Sequence, residues 1–216
     1  MAHVSVSSGP APMRRRDQQK EQTRLDLALA AFELAQAEGL AQVRVPQIAA
    51  AVGVSTRTFN NYFPSKEAAI VFPATMRGAR MASDLAGCPA GQPLADALVD
   101  VVAGLYGPRG QEGLPENWID GFRALVAAEP SLHGECLKAQ AAGEHELAVA
   151  IARRTRADGS DLGPLLLAGV VLAAERAAVR HWARQAERPG VPLAEVVRTA
   201  VALAVRGLTG PGGSLT

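Results

Sequence analysis

A short stretch of the chain, VPQIAAAVGVSTRTFNNYFPSKE at residues 45–67, concentrates side chains that hydrogen-bond to nucleic acid. The planar guanidinium of Arg57 matches the N7 and O6 acceptors of guanine, so we predict that it contacts a base. Its polar neighbours suit base edges and phosphates, and phosphate contacts position a protein on DNA without reading sequence. These further predicted contacts are Thr56, Thr58, Asn60, Asn61, Tyr62 and Lys66.

The elements that must position these side chains are two short helices and a tight turn. Helices that cross steeply need a small residue where they meet, which Ala49 provides, and Gly53 tolerates the left-handed backbone of the turn. Ser55 directly after the turn is predicted to cap the second helix. Ile48 and Phe59 are spaced to fill the core beneath. Together these residues predict a helix-turn-helix, although a solvated polar helix face would look similar at any single position.

The run GVSTRTFNNYFPSKEAAI at residues 53–70 resembles the tetracycline-repressor (TetR) family, and the match extends over residues 18–70. The resemblance adds Thr23, Arg44 and Ser55 to the predicted DNA contacts. It also implies a homodimer that binds double-stranded DNA at a palindromic operator and responds to a small-molecule inducer. The chain departs from the family pattern at Arg44, where a threonine is common, and at Asn60, where an aromatic phosphate binder is common.

A narrower resemblance lies in the segments RTF at residues 57–59 and NYFPSKE at residues 61–67, together with the Glu-Pro-Ser-Leu stretch at residues 129–132. This combination is similar to an actinobacterial branch of the TetR family, the mycofactocin-regulator type. Some members of that branch respond to acyl-CoA-like molecules, so the resemblance implies a ligand of that kind.

The composition favours helices, because apolar residues make up 48 % of the chain and aromatic residues only 4 %. Alanine and leucine, which abound here, are good helix formers, whereas strands prefer β-branched and aromatic residues. We predict an all-α protein of about nine helices, with a three-helix DNA-binding domain and a larger helical ligand-binding and dimerisation domain. The predicted parts are a disordered basic arm at 1–17, the DNA-binding domain at 18–66, the larger domain at 67–210 and a tail at 211–216.

Two late helices, predicted near residues 162–187 and 192–208, are apolar on nearly all sides. A helix with that pattern is buried on both faces, and a partner subunit is the predicted cover. We therefore predict a four-helix dimer interface; its predicted residues are Leu166, Val170, Val197, Val201 and Ala204. The alternative is a deep core within one subunit.

In the TetR family the C-terminal helices also form a small-molecule pocket. Aromatic side chains with a few polar groups are typical of such pockets, but they are equally typical of a helical core. The candidate lining residues are Phe72, Met76, Met81, Tyr106, Trp118, Phe122, Arg123 and Trp182. Among them, Arg123 is suited to a carboxylate or a phosphate. Cys136 is a candidate redox sensor, with a buried inert thiol as the alternative.

The charge distribution agrees with a DNA-binding N-terminal part. The formal net charge is only +1, but residues 1–66 hold eight Lys and Arg against five Asp and Glu. A net positive N-terminal part, followed by a mildly acidic remainder, suits a domain that binds a polyanion such as DNA. A solvent-exposed charged face would give the same numbers of charged residues.

The sequence contains no catalytic or metal-binding pattern that we recognise. The four histidines show no HExxH spacing, and the two cysteines form no CxxC pair. We expect no cofactor, no metal and no enzymatic activity. No stretch reads as a secretory signal or as a membrane span, so we expect a cytoplasmic protein without a membrane partner.

The functional hypothesis is a dimeric transcription repressor that a small molecule releases from its operator. One alternative is a small-molecule-binding or enzymatic helical protein whose helix-turn-helix is non-functional. Another is an activator or architectural DNA-binding protein without any ligand.

Overall fold

Helices account for all the regular structure in a computed structural model of the chain, which describes residues 15–158, 161–184 and 190–209. This part contains nine α-helices, one short 3-10 helix at Pro108–Gln111, and no strand. The predicted all-α class with about nine helices is confirmed. The α-helices are α1 (Arg15–Glu38), α2 (Val45–Ala51), α3 (Thr56–Tyr62), α4 (Lys66–Gly87), α5 (Leu94–Gly104), α6 (Trp118–Ala128), α7 (Ser131–Thr155), α8 (Leu162–Arg184) and α9 (Leu193–Thr209).

Helix α1 begins earlier than we predicted. The predicted disordered arm included Arg15, Arg16 and Asp17, and all three belong to the helix. The Arg, Gln, Lys and Glu side chains of this stretch are good helix formers, and Asp17 in the first turn interacts favourably with the helix dipole. The rest of the predicted arm, the predicted tail, and residues 185–187 of the helix predicted near 162–187 lie outside the described residues.

The chain divides into two compact units, the first ending at Ala69 and the second beginning at Ile70. The first unit holds α1, α2, α3 and the start of α4. Its core contains Phe32, Ile48 and Phe59, none of which has exposed surface. The seven-residue helices α2 and α3 depend on such large apolar side chains, because helices this short are not stable by themselves.

In the second unit, α8 packs against α7 and α9, and α5 packs against α9. The apolar core between these helices is continuous and includes Leu98, Leu147 and Val171, which have no exposed surface. Met81 and Leu172 of this core also line the cavity described below.

The inner face of α9 corrects part of the predicted dimer interface. Val197 and Val201 have no exposed surface and lie in the core of their own subunit, so a partner subunit cannot contact them. The sequence shows that α9 is apolar on most sides, but the pattern alone does not show which side faces the subunit core. Leu166 of α8 is 51 % exposed, and Val170 and Ala204 are partly buried.

Helices α4 and α7 approach each other closely where two glycines meet. A Cβ atom added to Gly78 would lie 2.6 Å from the Cα atom of Gly143, whereas one added to Gly143 would lie 3.3 Å from the Cα atom of Gly78. Both glycines are buried. The two helices therefore cross at backbone contact, and only glycine fits at position 78 without moving one of them.

This asymmetry gives a prediction for three alanine variants. Gly78→Ala forces backbone against backbone and is expected to lower the free energy of unfolding by about 2 kcal/mol. Gly143→Ala is expected to be close to neutral, because a milder contact is offset by better helix propensity. Gly134→Ala, where an added Cβ meets nothing within 4 Å, is expected to stabilise by about 0.5–1 kcal/mol. Urea denaturation followed by circular dichroism measures all three, and equal effects at positions 78 and 134 would contradict the close crossing.

Candidate functional site

The turn between α2 and α3 has the geometry that a helix-turn-helix needs. Gly53 has a φ of +72°, in the left-handed region that glycine adopts without strain. The backbone N–H of Val54 donates to the carbonyl oxygen of Ala49 at 2.9 Å. Ala49 is only 1 % exposed, so a larger side chain there would push the two helices apart.

The cap of α3 is the one that the sequence predicted. The backbone N–H of Thr58 donates to Oγ of Ser55 at 3.1 Å, and the hydroxyl groups of the two residues lie 2.9 Å apart. Capping of this kind satisfies a backbone donor that the first turn of a helix leaves without a partner. The direction in which α3 leaves the turn is thus fixed by Gly53 and Ser55.

Helix α3 presents a polar face and is anchored by a buried aromatic ring. Phe59 has no exposed surface and lies 5.7 Å from the ring of Phe63, centroid to centroid. The exposed side chains of the helix are the polar ones that the sequence singled out, namely Thr56, Arg57, Asn60 and Asn61. Thr58 and Tyr62 are partly buried. An anchored helix with an exposed hydrogen-bonding face suits insertion into a major groove.

Lys66 is placed differently from the phosphate contact that we predicted. Its Nζ donates to the carbonyl oxygens of Leu40 at 2.6 Å and Val43 at 2.9 Å. The ammonium group is thereby used to hold the loop between α1 and α2 against the start of α4. The sequence could not indicate this, because the two acceptors are backbone atoms more than twenty residues away.

Two other predicted contacts have local partners as well. The side chain of Gln47 accepts a hydrogen bond from the backbone N–H of Arg44 at 2.7 Å, which is one half of a capping box at the start of α2. The Arg44 side chain is exposed. In α1, the hydroxyl of Thr23 donates to the carbonyl oxygen of Gln19 at 2.9 Å.

The second unit contains a cavity of about 440 Å³. Residues of α4, α6, α7 and α8, with Tyr106 from the end of α5, form its wall. The large or polar side chains of the lining are Arg77, Met81, Tyr106, Trp118, Phe122, Arg123, His133, Cys136, Gln140, Glu175, Arg176 and Arg180. The volume falls within the range of about 300–1,000 Å³ that is usual for small-molecule sites.

A buried ion pair crosses the cavity wall between α4 and α8. Nη2 of Arg77 lies 3.5 Å from Oε1 of Glu175, and both side chains are nearly buried, at 11 % and 12 % exposed. The hydroxyl of Tyr106 donates to the same Oε1 at 2.6 Å, and the Arg77 guanidinium stacks 4.2 Å above the Tyr106 ring. Burial raises the pKa of Tyr106 above its usual range, so the phenol stays protonated and acts as a donor.

Helix α6 contributes an aromatic pair to the lining of the cavity. The rings of Trp118 and Phe122 are stacked at 5.1 Å between centroids with 13° between their planes. Trp118 is only 3 % exposed, and its indole Nε1 is buried without a hydrogen-bond partner in the part of the chain that the structure describes. Buried indole N–H groups usually have a partner, so this donor without one is a local cost to stability.

The structure brings together five of the eight predicted lining residues, namely Met81, Tyr106, Trp118, Phe122 and Arg123. The other three do not line the cavity: Phe72 is buried, Met76 is 37 % exposed, and Trp182 donates from Nε1 to the carbonyl oxygen of Val191 at 3.3 Å. Residue type alone could not separate the two groups, because lining and core residues are chemically alike.

Sequence reasoning missed the most polar part of the cavity, Arg77, Glu175, Arg176 and Arg180. Glu175, Arg176 and Arg180 lie on α8, the two arginines four residues apart, in a helix whose first half carries no charge. This interruption of an apolar pattern is a signal that could have been used. Cys136 does line the cavity. Burial, with a smaller contribution from Glu135, raises the pKa of its thiol, which disfavours the thiolate that a redox sensor needs.

A chain that combines a capped helix-turn-helix, whose second helix has an exposed polar face, with a second helical unit that contains a cavity has the parts of a transcription regulator that responds to a ligand. Similarity to known proteins identifies the family of regulators. Residues 28–69 match the family described as bacterial regulatory proteins, tetR family. Residues 111–209 match the MftR C-terminal domain of the same family.

A related regulator extends the match over most of the chain. The HTH-type transcriptional regulator TcmR of Streptomyces glaucescens is 31 % identical over 189 residues, covering 85 % of this chain and 81 % of TcmR. The chain belongs to the TetR family of bacterial transcription regulators.

Solved structures agree on the fold. FadR of Thermus thermophilus, a TetR-family repressor crystallised with lauroyl-CoA, has a TM-score of 0.56 at 23 % identity and covers 88 % of this chain and 100 % of FadR. A TetR-family regulator from a Rhodococcus species has a TM-score of 0.57 at 20 % identity, with 88 % and 100 % covered.

The buried ion pair gives a prediction for stability. Glu175→Gln leaves the nearly buried Arg77 guanidinium without its counter-charge and is expected to lower the free energy of unfolding by about 3 kcal/mol. The double variant Arg77→Met/Glu175→Leu removes both charges and is expected to recover most of that loss. Asp84→Asn is the matched control, because its ion pair with Arg80 is exposed and is expected to contribute less than about 0.5 kcal/mol. Equal urea midpoints for Glu175→Gln and Asp84→Asn would show that the buried pair is not needed for stability.

Proposed function

We propose that the protein is a repressor that binds a palindromic operator as a homodimer and leaves it when a small molecule occupies the cavity. The observation that carries the proposal is the presence, in one chain, of an exposed polar recognition helix and a cavity with a polar wall. We place its action in the cytoplasm, where bacterial DNA is accessible.

The proposed DNA contacts start from the exposed face of α3. Arg57 is proposed to contact a base, because its exposed guanidinium can pair with guanine in two parallel hydrogen bonds. The remaining proposed contacts to bases and phosphates are Thr23, Arg44, Ser55, Thr56, Thr58, Asn60, Asn61 and Tyr62. Lys66 is omitted, because its ammonium group already bonds to two carbonyl oxygens.

The proposed dimer interface follows from the exposed apolar side chains of the last two helices. On α8, Leu162, Leu165 and Leu166 are 75 %, 38 % and 51 % exposed, and Leu203 on α9 is 68 % exposed. Exposed apolar surface of this extent marks an interaction site. Val170 and Ala204 remain part of the proposed interface, whereas Val197 and Val201 do not.

Helix α8 is apolar over most of its length. Among the described residues it is the helix long and apolar enough to cross a membrane, yet only 28 % of its most apolar window is buried within the subunit. A helix that packs on its own subunit with one face and on a partner subunit with another has the same composition. Its charged residues Glu175, Arg176 and Arg180 line the cavity, which favours the dimer over a membrane span.

Release by a ligand requires that the ligand binds one state of the protein more tightly than the other. Helix α4 is suited to report occupancy, because it begins in the first unit at Lys66 and contributes Arg77, Gly78 and Met81 to the cavity wall. We propose that the ligand favours an arrangement of the dimer in which the two recognition helices no longer match half-sites about 34 Å apart.

The first prediction of this proposal concerns DNA. Selection of bound sequences from a random pool by the purified protein is expected to enrich a palindrome. Arg57→Ala is then expected to weaken operator binding about 10- to 100-fold by fluorescence anisotropy and to relax preference at one base pair of each half-site. Arg109→Ala, at an exposed arginine of the second unit, is the control and is expected to bind as the parent does. Binding that depends neither on salt concentration nor on Arg57 would contradict the proposal.

The second prediction concerns assembly. Leu166→Glu places a carboxylate in the proposed interface and is expected to convert a dimer into a monomer, as measured by light scattering after size-exclusion chromatography. Leu137→Glu on α7 is the matched control, because Leu137 is 65 % exposed outside the proposed interface. The proposal fails if the parent is monomeric, or if the two variants dissociate alike.

A further inference from the structure

The C-terminal end of α3 is held by Phe63, the residue that directly follows the helix. Its backbone N–H donates to the carbonyl oxygen of Phe59 at 2.9 Å, and its side chain is buried. The turn at Gly53 and the cap at Ser55 act at the other end of the helix. They expose the polar face of α3, but the direction of its last turn depends on what holds the Phe63 ring.

Arg24 of α1 lies over that ring. The central carbon of its guanidinium group is 5.4 Å from the centroid of the Phe63 ring, within the distance at which an aromatic face attracts a cation. The Arg24 side chain is partly buried, and desolvation strengthens this attraction. The Phe63 ring also packs against Phe59, with 5.7 Å between the centroids. Arg24 thus adds a direct connection between α1 and the end of α3 to the packing of α1 on α2 and of α2 on α3.

The three residues before Phe63 are proposed DNA contacts, so the direction of this turn matters for binding. Asn60 and Asn61 are exposed, and Tyr62 is partly buried. Helix α3 has seven residues, so it is about 10 Å long, and a tilt of about 10° moves one end by about 2 Å relative to the other. Donor–acceptor distances in N–H···O hydrogen bonds vary by only about 0.5 Å. A small tilt therefore breaks contacts to DNA while the helix itself stays intact.

Arg24 is placed differently from the arginines that are proposed to touch DNA. The side chains of Arg44 and Arg57 are exposed, whereas that of Arg24 is partly buried with its guanidinium group over an aromatic ring. This placement favours an effect through the direction of α3 over a contact with a phosphate.

We propose that Arg24 is a positioning residue for DNA recognition. Its guanidinium group, lying over Phe63, holds the last turn of α3 in the direction that operator binding requires, and it does so without touching DNA. The assignment rests on the proposed function in taking α3 as the recognition helix. It adds a residue outside α3 on which the preference for the operator over other DNA depends.

The test compares two affinities of each variant, one for the palindrome recovered by selection and one for a scrambled duplex of equal length. Fluorescence anisotropy measures both on the same preparation of the full chain. Arg24→Met keeps an unbranched apolar side chain but removes the cation. It is expected to lower operator affinity at least tenfold and affinity for the scrambled duplex less than twofold. Arg24→Lys keeps a cation for the ring and is expected to remain within threefold of the parent on both.

The ratio of the two affinities separates positioning from folding, because an unfolded fraction lowers both affinities alike. Circular dichroism at the assay temperature checks that each variant is helical. If Arg24→Met does not fold, Arg24→Gln takes its place in every comparison with the same expected values. Arg109→Met, at an exposed arginine of the second unit, is the matched control and is expected to keep the ratio of the parent.

The salt dependence of operator binding separates positioning from a direct contact. Loss of one phosphate contact reduces the slope of log affinity against log salt concentration by about one. Arg24→Met is expected to keep the slope of the parent. Arg44→Met, at an exposed arginine that is a proposed DNA contact, is the comparison in which the slope is expected to fall.

The aromatic ring is tested with a double-variant cycle. Phe63→Leu keeps an apolar side chain but offers no aromatic face. In that background Arg24→Met is expected to change the affinity ratio less than twofold, because the contact that it removes is already absent.

The proposal is overturned by an unchanged affinity ratio in Arg24→Met, by a salt slope that is smaller by about one, or by an equal effect of Arg24→Met with and without the Phe63 ring. A parent that binds its operator through Arg57, with Arg24→Met equal to it, refutes the role of Arg24 alone. A parent that binds no operator refutes the proposed repressor as well.

Discussion

The ion pair between Arg77 and Glu175 is the interaction on which the second unit is organised. It joins α4 to α8, and the Tyr106 hydroxyl at the end of α5 bonds to the same carboxylate oxygen. Placing opposite charges at the wall of an apolar cavity is costly unless they satisfy each other, so the three side chains fix one another's positions.

The same arrangement explains why the cavity can exist beside a close-packed core. The aliphatic side chains between α5, α7, α8 and α9 are closed to solvent, as the absence of exposed surface at Leu98, Leu147 and Val201 shows. Large rings and charged groups from α4 and α6, among them Arg77, Trp118 and Phe122, line the cavity. Gly78 and Gly143 also line it and bring α4 and α7 into backbone contact at one point. The cavity lies between a tight crossing and a set of bulky side chains.

The helix-turn-helix is positioned mainly by residues that are close together in sequence. Gly53 and Ser55 set the direction of α3, and Phe59 anchors it, so its polar side chains are free to face solvent. Local rules are sufficient here, because a turn, a cap and one buried ring are all within a dozen residues. Lys66 is the exception, since its partners are carbonyl oxygens of the α1–α2 loop, which no local pattern around Lys66 indicates.

Local patterns in the sequence therefore determined the helical class, the helix-turn-helix with its turn at Gly53, and the apolar nature of α8 and α9. Tertiary structure alone decided which apolar side chains face inward: Val197 and Val201 lie in the subunit core, and Leu162, Leu166 and Leu203 lie outside. It also decided that Arg77, Glu175 and Tyr106 meet, although they are far apart along the chain. The physical reason is that helix periodicity reports a residue's face relative to its own helix, whereas burial and charge pairing depend on which other helices that face meets.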